Sequence, residues 1–317
     1  MARVSPLPPP GTDAASPRVA RDRSTIGLLL VSLRPEQWTK NLLVFAGVVF
    51  GGRLMDPVAL ETALGAFAIF CALSSAVYLF NDVADRAADQ NHPLKRERPI
   101  ASGRLSVTTA LLAGLVLGVA GVLAGFMIRA ELGVVASTYL TLLLIYSAAL
   151  KHVVIVDVLM IAAGFVLRAI AGAVAVDVPI GHWLLVCTTL LALFLALSKR
   201  RHELTLLAES ATDHRRILEE YSPYLLDQMI GVVTSSTLIA YTVYATSTDT
   251  AARLGTAKLG LTIPFVLYGI FRYLYLVHQK RGGGSPAAML LTDKPLLACV
   301  ALWAATVIAL LYSPLGK

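Results

Sequence analysis

Residues 57–89 read PVALETALGAFAIFCALSSAVYLF and then NDVADRAAD, and the junction between the two decides the fold. The first stretch, 57–80, carries one charge, Glu61, and is long enough to cross a hydrocarbon layer at about 1.5 Å per residue. The second places Asn81, Asp82, Asp85 and Asp89 where such a helix would leave the lipid. If the helix continues, steps of about 100° put Asp82, Asp85 and Asp89 in a wedge of about 60°, with Asn81 one turn before Asp85. Three carboxylates on one face repel one another unless a divalent cation or a basic partner neutralises them. A few hard oxygen ligands at a water–lipid boundary suit Mg2+, which keeps part of its water shell and takes further ligands from a substrate's phosphates. The plainer reading of the same residues is a solvated helix end paired with Arg86.

The rest of the chain agrees with a membrane-spanning start. Of 317 residues, 56% are hydrophobic and 15% charged, with a mean hydropathy of +0.71. A soluble domain carries about a quarter charged residues, and one core cannot absorb this much apolar surface. Collagen-like, disordered, zinc-finger and disulfide-scaffold classes are excluded, and Cys71, Cys187 and Cys299 all lie in apolar runs as small hydrophobes. Nine apolar stretches approach the length of a span: 39–55, 57–80, 105–128, 131–149, 153–176, 182–198, 224–247, 257–279 and 294–313. The fold class is therefore all-α, a polytopic membrane bundle of about nine transmembrane helices. Residues 1–24, rich in Pro, Ala and Arg, read as a disordered cytoplasmic tail, followed by a short segment Thr25–Leu33 that Arg34-Pro35 ends. Residues 25–317 form one transmembrane domain, capped by the loops 81–104 and 199–223.

Basic residues orient it. With the N-terminus inside, 21 of the 27 Lys and Arg fall on the inner side and five outside, while Arg168 lies within a span. The bias predicts a cytoplasmic N-terminus, an external C-terminus and an active site facing the cytosol of a cell (plasma or inner) membrane. In such a protein an excess of positive charge concerns topology and anionic ligands rather than nucleic acid.

Two inward stretches are strongly basic. After the acids comes His92-Pro93-Leu94-Lys95-Arg96-Glu97-Arg98-Pro99-Ile100, and the loop after the sixth span begins Ser198-Lys199-Arg200-Arg201-His202-Glu203-Leu204. Both serve topology, and both can hold phosphate. Arg168 sits near the middle of the fifth span, where an unpaired cation costs at least about 2.5 kcal/mol. Asp157 lies eleven residues earlier, close to three turns, so the two point the same way, and Gly164 and Gly172 beside Arg168 admit a neighbouring helix or ligand. Lys40, at the inner end of the first span, either meets a lipid phosphate or snorkels into headgroups. No histidine has metal-ligand spacing.

The chain resembles the UbiA-type membrane prenyltransferase superfamily. Asn81-Asp82-x-x-Asp85-x-x-x-Asp89 followed by Arg98-Pro99-Ile100 is similar to its first aspartate-rich motif. Arg34-Pro35-x-Gln37-Trp38-x-Lys40-Asn41, Ser75-Ala76-Val77-Tyr78-Leu79, Leu150-Lys151-His152, Leu167-Arg168-Ala169-Ile170-Ala171-Gly172 and Lys199-Arg200-x-x-Glu203-Leu204 resemble its branch that acts on decaprenyl phosphate with a phosphoribosyl donor. Aromatic prenyltransferases of the superfamily carry a second acidic motif where this chain has Lys199-Arg200-Arg201. The resemblance implies Mg2+-dependent transfer of a 5-phosphoribosyl group from 5-phosphoribose 1-diphosphate to a polyprenyl phosphate, with release of pyrophosphate. It also implies entry into a lipid-linked arabinose donor for cell-wall arabinan. Asn81, Asp82, Asp85 and Asp89 would hold the metal, the three aspartates being catalytic. Tyr78, Lys95, Arg98, Lys151, Arg168, Lys199 and Arg200 would bind phosphate and ribose, with Tyr146 and Glu203 beside them and Lys40 on the lipid phosphate. An aromatic or quinone prenyltransferase is the nearest alternative and a lipid-phosphate flippase a farther one; self-association into a homo-oligomer stays open.

Overall fold

A computed structural model describes residues 24–92, 95–209, 220–280, 284 and 286–314, with the side chains of 206–209 and 287 left undescribed. Its helices in chain order are α1 Thr25–Ser32, α2 Ala46–Phe50, α3 Pro57–Ala84, α4 Arg86–Asn91, α5 Val107–Ile128, α6 Ala130–Ala148, α7 Val156–Ala175, α8 His182–Glu209, α9 Pro223–Thr246, α10 Thr248–Leu254, α11 Ile263–Gln279, α12 Pro286–Thr292 and α13 Lys294–Tyr312. Eight helices among the described residues are long and apolar enough to cross a membrane. The expected tail, apart from Ser24, lies outside the described residues.

Side chains set where the helices begin. Asp56 accepts hydrogen bonds from the Val58 and Ala59 N–H groups ahead of Pro57, and Ser106, Ser222 and Asp293 cap α5, α9 and α13 in the same way. Buried Gly114, Gly118, Gly121 and Gly125 form one stripe of α5, and a Cβ at Gly121 would press on Leu73 of α3. Small residues at this spacing let backbones close in where lipid offers no hydrophobic drive.

The first expected span differs from the other eight. Residues 39–55 do not form a long α-helix: Pro35–Phe45 is a 3-10 segment, continued by the short α2. At about 2.0 and 1.5 Å per residue the two advance roughly 30 Å, the thickness of the hydrocarbon layer. The ends bear this out, since Arg34 bonds Asp82 at one end of the bundle and Arg53 bonds the Val176 carbonyl at the other. The irregular backbone is backed by protein along one face, with Asn41, Val44, Gly47 and Val48 buried and Leu42 exposed. It packs on α3 and α7, and a Cβ at Gly172 would overlap the Val44 carbonyl. The second difference is α8, which runs to Glu209 instead of stopping at 198. Lys199, Arg200 and Glu203 therefore stand on a helix rather than in a loop, with ion pairs at helical spacing from Glu203 to both cations. Residues 210–219 of the expected cap lie outside the described residues.

Candidate active site

The acidic end is built by a break in a helix. α3 ends at Ala84, Asp85 caps it with φ −88° and ψ 4°, and α4 starts at Arg86. The expected unbroken helix is thus bent at its middle aspartate, while the Asp85 N–H still bonds the Asn81 carbonyl at 2.8 Å. Asp82 and Asp89 remain together: Arg98 Nη1 donates to Asp82 Oδ1 at 3.2 Å and to Asp89 Oδ2 at 2.5 Å. Arg34 Nη2 donates to the same Asp82 oxygen at 2.5 Å, and its guanidinium lies over the Tyr78 ring at 5.0 Å. Lys151 Nζ meets Asp85 Oδ1 at 2.8 Å, and Lys95 stands 4.0 Å from Asp89. Asn81 accepts a hydrogen bond from the Ser147 hydroxyl of α6 through its amide oxygen.

Among the described residues no three carboxylate, imidazole or thiolate groups converge on one point, because each aspartate here faces a cation. The donor set nevertheless fits a hard divalent ion: three carboxylates and an amide oxygen, two of the acids already gathered around a single positive charge, and no sulfur.

A second, cationic group lies next to the first. Arg168 is buried, at 6% exposure, and all its described partners are neutral. Its Nε donates to Asn41 Oδ1 at 2.7 Å, Nη1 to the Gly164 carbonyl at 2.9 Å and Nη2 to the Tyr139 hydroxyl at 2.5 Å, with the Tyr139 and Phe165 rings stacked against it. Asn41 is oriented in turn by donating to Ser74 Oγ and Cys71 Sγ, both at 3.3 Å. No described carboxylate pairs with the guanidinium: three of its five N–H groups meet neutral acceptors, and its charge meets no anion among the described residues. Lys40 lies within Coulombic range of three cations, Lys199, Arg168 and Arg34, and of one carboxylate, Glu36. Tyr78 borders the same space, within range of Arg168 and Arg34.

Asp157 does not share this neighbourhood, although the helical repeat points it the same way as Arg168. It is fully buried against Arg200 of α8, with Nε on Oδ2 at 2.7 Å, and accepts from Tyr221 Oη on Oδ1 at 2.8 Å. Arg200 Nη1 continues to Glu203 at 2.6 Å, and Tyr146 lies within Coulombic range. Tyr221 also accepts the N–H of Ile155, whose φ of 68° is unusual for a β-branched residue. Burial pushes the Tyr221 phenol up to about 12, so it keeps its proton and donates.

The structure therefore brings Asn81, Asp82, Asp85, Asp89, Tyr78, Lys95, Arg98 and Lys151 together, and gathers Lys40, Arg168 and Lys199 beside them. Arg200 and Glu203 are engaged in the pair that fastens α8 to α7. Sequence reading passed over Arg34, Asn41, Tyr139, Ser147 and Tyr221. The first two stood inside a quoted motif and could have been named; the other three are ordinary residues of helices or loops that only packing makes polar partners.

The sequence profile of the UbiA prenyltransferase family matches residues 41–293. A decaprenyl-phosphate phosphoribosyltransferase of Mycolicibacterium smegmatis is 34% identical over 316 residues, covering 95% of this chain and 98% of its own. The protein of the same name from Corynebacterium glutamicum is 32% identical over 300 residues, 90% of this chain and 86% of its own. Among solved structures, a UbiA homolog from Archaeoglobus fulgidus bound to GPP and Mg2+ superposes with a TM-score of 0.67 at 19% identity, over 89% of this chain and 99% of its own, a likeness of fold.

Proposed function

The chain belongs to the UbiA prenyltransferase family, and on that footing we propose that it transfers a 5-phosphoribosyl group from 5-phosphoribose 1-diphosphate to decaprenyl phosphate. The observation that carries this reading is an oxygen-rich acidic mouth beside a group of cations, Lys40, Arg168 and Lys199, with Glu203 on Lys199 and no second aspartate-rich motif facing them among the described residues. Two phosphorylated substrates need such a division. One half receives a metal-bound diphosphate and the other binds phosphate oxygens directly.

In the reaction the bond from ribose C1 to the diphosphate oxygen breaks, a bond from C1 to an oxygen of the lipid phosphate forms, and pyrophosphate leaves. The nucleophile is already an anion, so no strong general base is required. Mg2+ held by Asn81, Asp82, Asp85 and Asp89 would neutralise the departing diphosphate. Arg168, fixed by Asn41 and Tyr139, presents its charge to a substrate phosphate inside the bundle, and Lys40 meets the lipid phosphate where its isoprenoid tail leaves between helices. Tyr78, Lys95 and Lys151 line the way between them. Catalysis is positioning and charge stabilisation by groups fixed in advance. The 21 inward cations support a mouth that opens to the cytosol of a cell membrane, and the product suits a lipid-linked pentose donor for cell-wall arabinan.

The test is a substrate partition. Purified protein with Mg2+ receives labelled 5-phosphoribose 1-diphosphate and decaprenyl phosphate, or labelled isoprenoid diphosphate and an aromatic acid. Label should enter lipid, with equimolar pyrophosphate, only in the first pair. Transfer only in the second would make the chain an aromatic prenyltransferase.

A further inference from the structure

The acids of the mouth are already neutralised by the chain itself. Arg98 Nη1 lies 3.2 Å from Asp82 and 2.5 Å from Asp89, Arg34 lies 2.5 Å from Asp82, and Lys151 lies 2.8 Å from Asp85. Asp82 and Asp89 are buried, each with 4% of its side chain exposed. A free divalent ion approaching these carboxylates meets no net negative charge and must displace cations within the low-dielectric site, where such pairs are hard to break.

Arg98 is the cation best placed to yield. It alone among the described residues bridges two of the acids, and its side chain keeps 29% of its surface in contact with solvent. Its backbone is fixed. Ser102 N–H bonds the Arg98 carbonyl at 2.9 Å, Gln90 Nε2 bonds the Ala101 carbonyl at 3.1 Å, and Ile100 and Leu105 are buried among Leu28 and Leu79. The guanidinium can therefore leave the acids by rotating its side chain, without moving the loop. A guanidinium set free beside a metal-bound diphosphate finds in it the bidentate anion that suits its planar fork.

We propose that Arg98 is an internal counter-ion of the acidic mouth, holding Asp82 and Asp89 until a divalent ion arrives with its diphosphate, then exchanging carboxylates for the diphosphate. The proposal rests on the metal-binding reading of the mouth given above. Arg98 disfavours the bare ion and favours the ion with its anion, so metal and diphosphate bind with positive coupling through one side chain.

The measurement is Mn2+ binding to the purified protein, followed by electron paramagnetic resonance of the free ion, together with the melting-temperature shift produced by Mg2+–pyrophosphate. Arg98→Gln should bind Mn2+ alone about tenfold more tightly than wild type, within the usual range of coupling energies. It should gain a smaller shift than wild type from Mg2+–pyrophosphate, while Arg98→Lys restores both values in part. Lys151→Gln, which releases Asp85, should raise Mn2+ affinity as well and serves if Arg98→Gln does not fold. Equal or weaker Mn2+ binding in these variants, with wild-type binding that Asp85→Asn removes, overturns the counter-ion role and leaves the metal site standing. Mn2+ binding that Asp85→Asn does not change in any variant overturns both.

Discussion

Two buried arginines, Arg168 and Arg200, sit in one bundle and are treated in opposite ways. Arg200 at 2% exposure is held by two carboxylates, Asp157 and Glu203, and its charge is cancelled within the protein. Arg168 at 6% exposure is held by an amide oxygen, a carbonyl and a phenol, and its charge is left over. On the proposed function, the difference separates a fastening from a binding group. A guanidinium cancelled by acids ties two helices and asks for nothing more, whereas one solvated only by dipoles stays costly until an anion reaches it.

The comparison is open to attack, and the largest effect belongs to the fastening. Arg200→Ala strands Asp157 in the interior and should lower unfolding stability by about 3–5 kcal/mol, read by denaturant melts in detergent. The double variant Arg200→Met with Asp157→Leu should recover most of that loss, because an apolar pair of similar volume replaces the ion pair. Arg168→Gln comes next and should do the reverse. Its melting temperature should stay at the wild-type value, while transfer activity should fall about 10²–10³-fold, as when one preorganised charge-stabilising donor is lost. If Arg168→Gln unfolds and Arg200→Ala stays folded but inactive, the two roles are exchanged.

A smaller effect sharpens the fastening. Tyr221→Phe removes the hydrogen bond to Asp157 and the acceptor of the Ile155 N–H, and should cost about 1–3 kcal/mol, the usual penalty of buried polar groups left short of a partner. The phenol is raised from 10.0 to about 12 in the folded state. Its contribution is therefore complete below pH 10 and lost only as pH rises through about 12. The stability difference between wild type and Tyr221→Phe should stay constant from pH 6 to pH 9, and a difference that shrinks across that range would mean the phenol titrates early. Smallest of all, Glu203→Gln removes a half-exposed arm of the Arg200 network and should cost under about 1 kcal/mol.

Much of this is legible in the sequence. Eight long apolar runs, the acid spacing from Asn81 to Asp89 and a lone arginine in the fifth span follow from residue type and helical repeat alone. The first crossing was less legible, since hydropathy registers that residues 39–55 are apolar but neither that Pro35–Phe45 takes a 3-10 form nor that Gly47 and Gly172 let two backbones meet. The end of α8 is hidden by its charge, since a basic run marks a loop as readily as a helix; the pairing of Lys199 and Arg200 with Glu203 at helical spacing is what extends it. The partner of Asp157 could not be had from its own helix. Eleven residues before Arg168 is a statement about one helix, and which neighbour answers the charge is decided by the packing of α8 and the approach of Tyr221.

The most direct measurement is calorimetric titration of 5-phosphoribose 1-diphosphate, with Mg2+ present, into detergent-solubilised wild type and Arg168→Gln. Wild type should bind, with affinity at least about tenfold weaker in the variant, the range of one charge-assisted hydrogen bond to an anion. Equal affinity in the two proteins would show that the uncancelled charge in the membrane interior does not serve the donor.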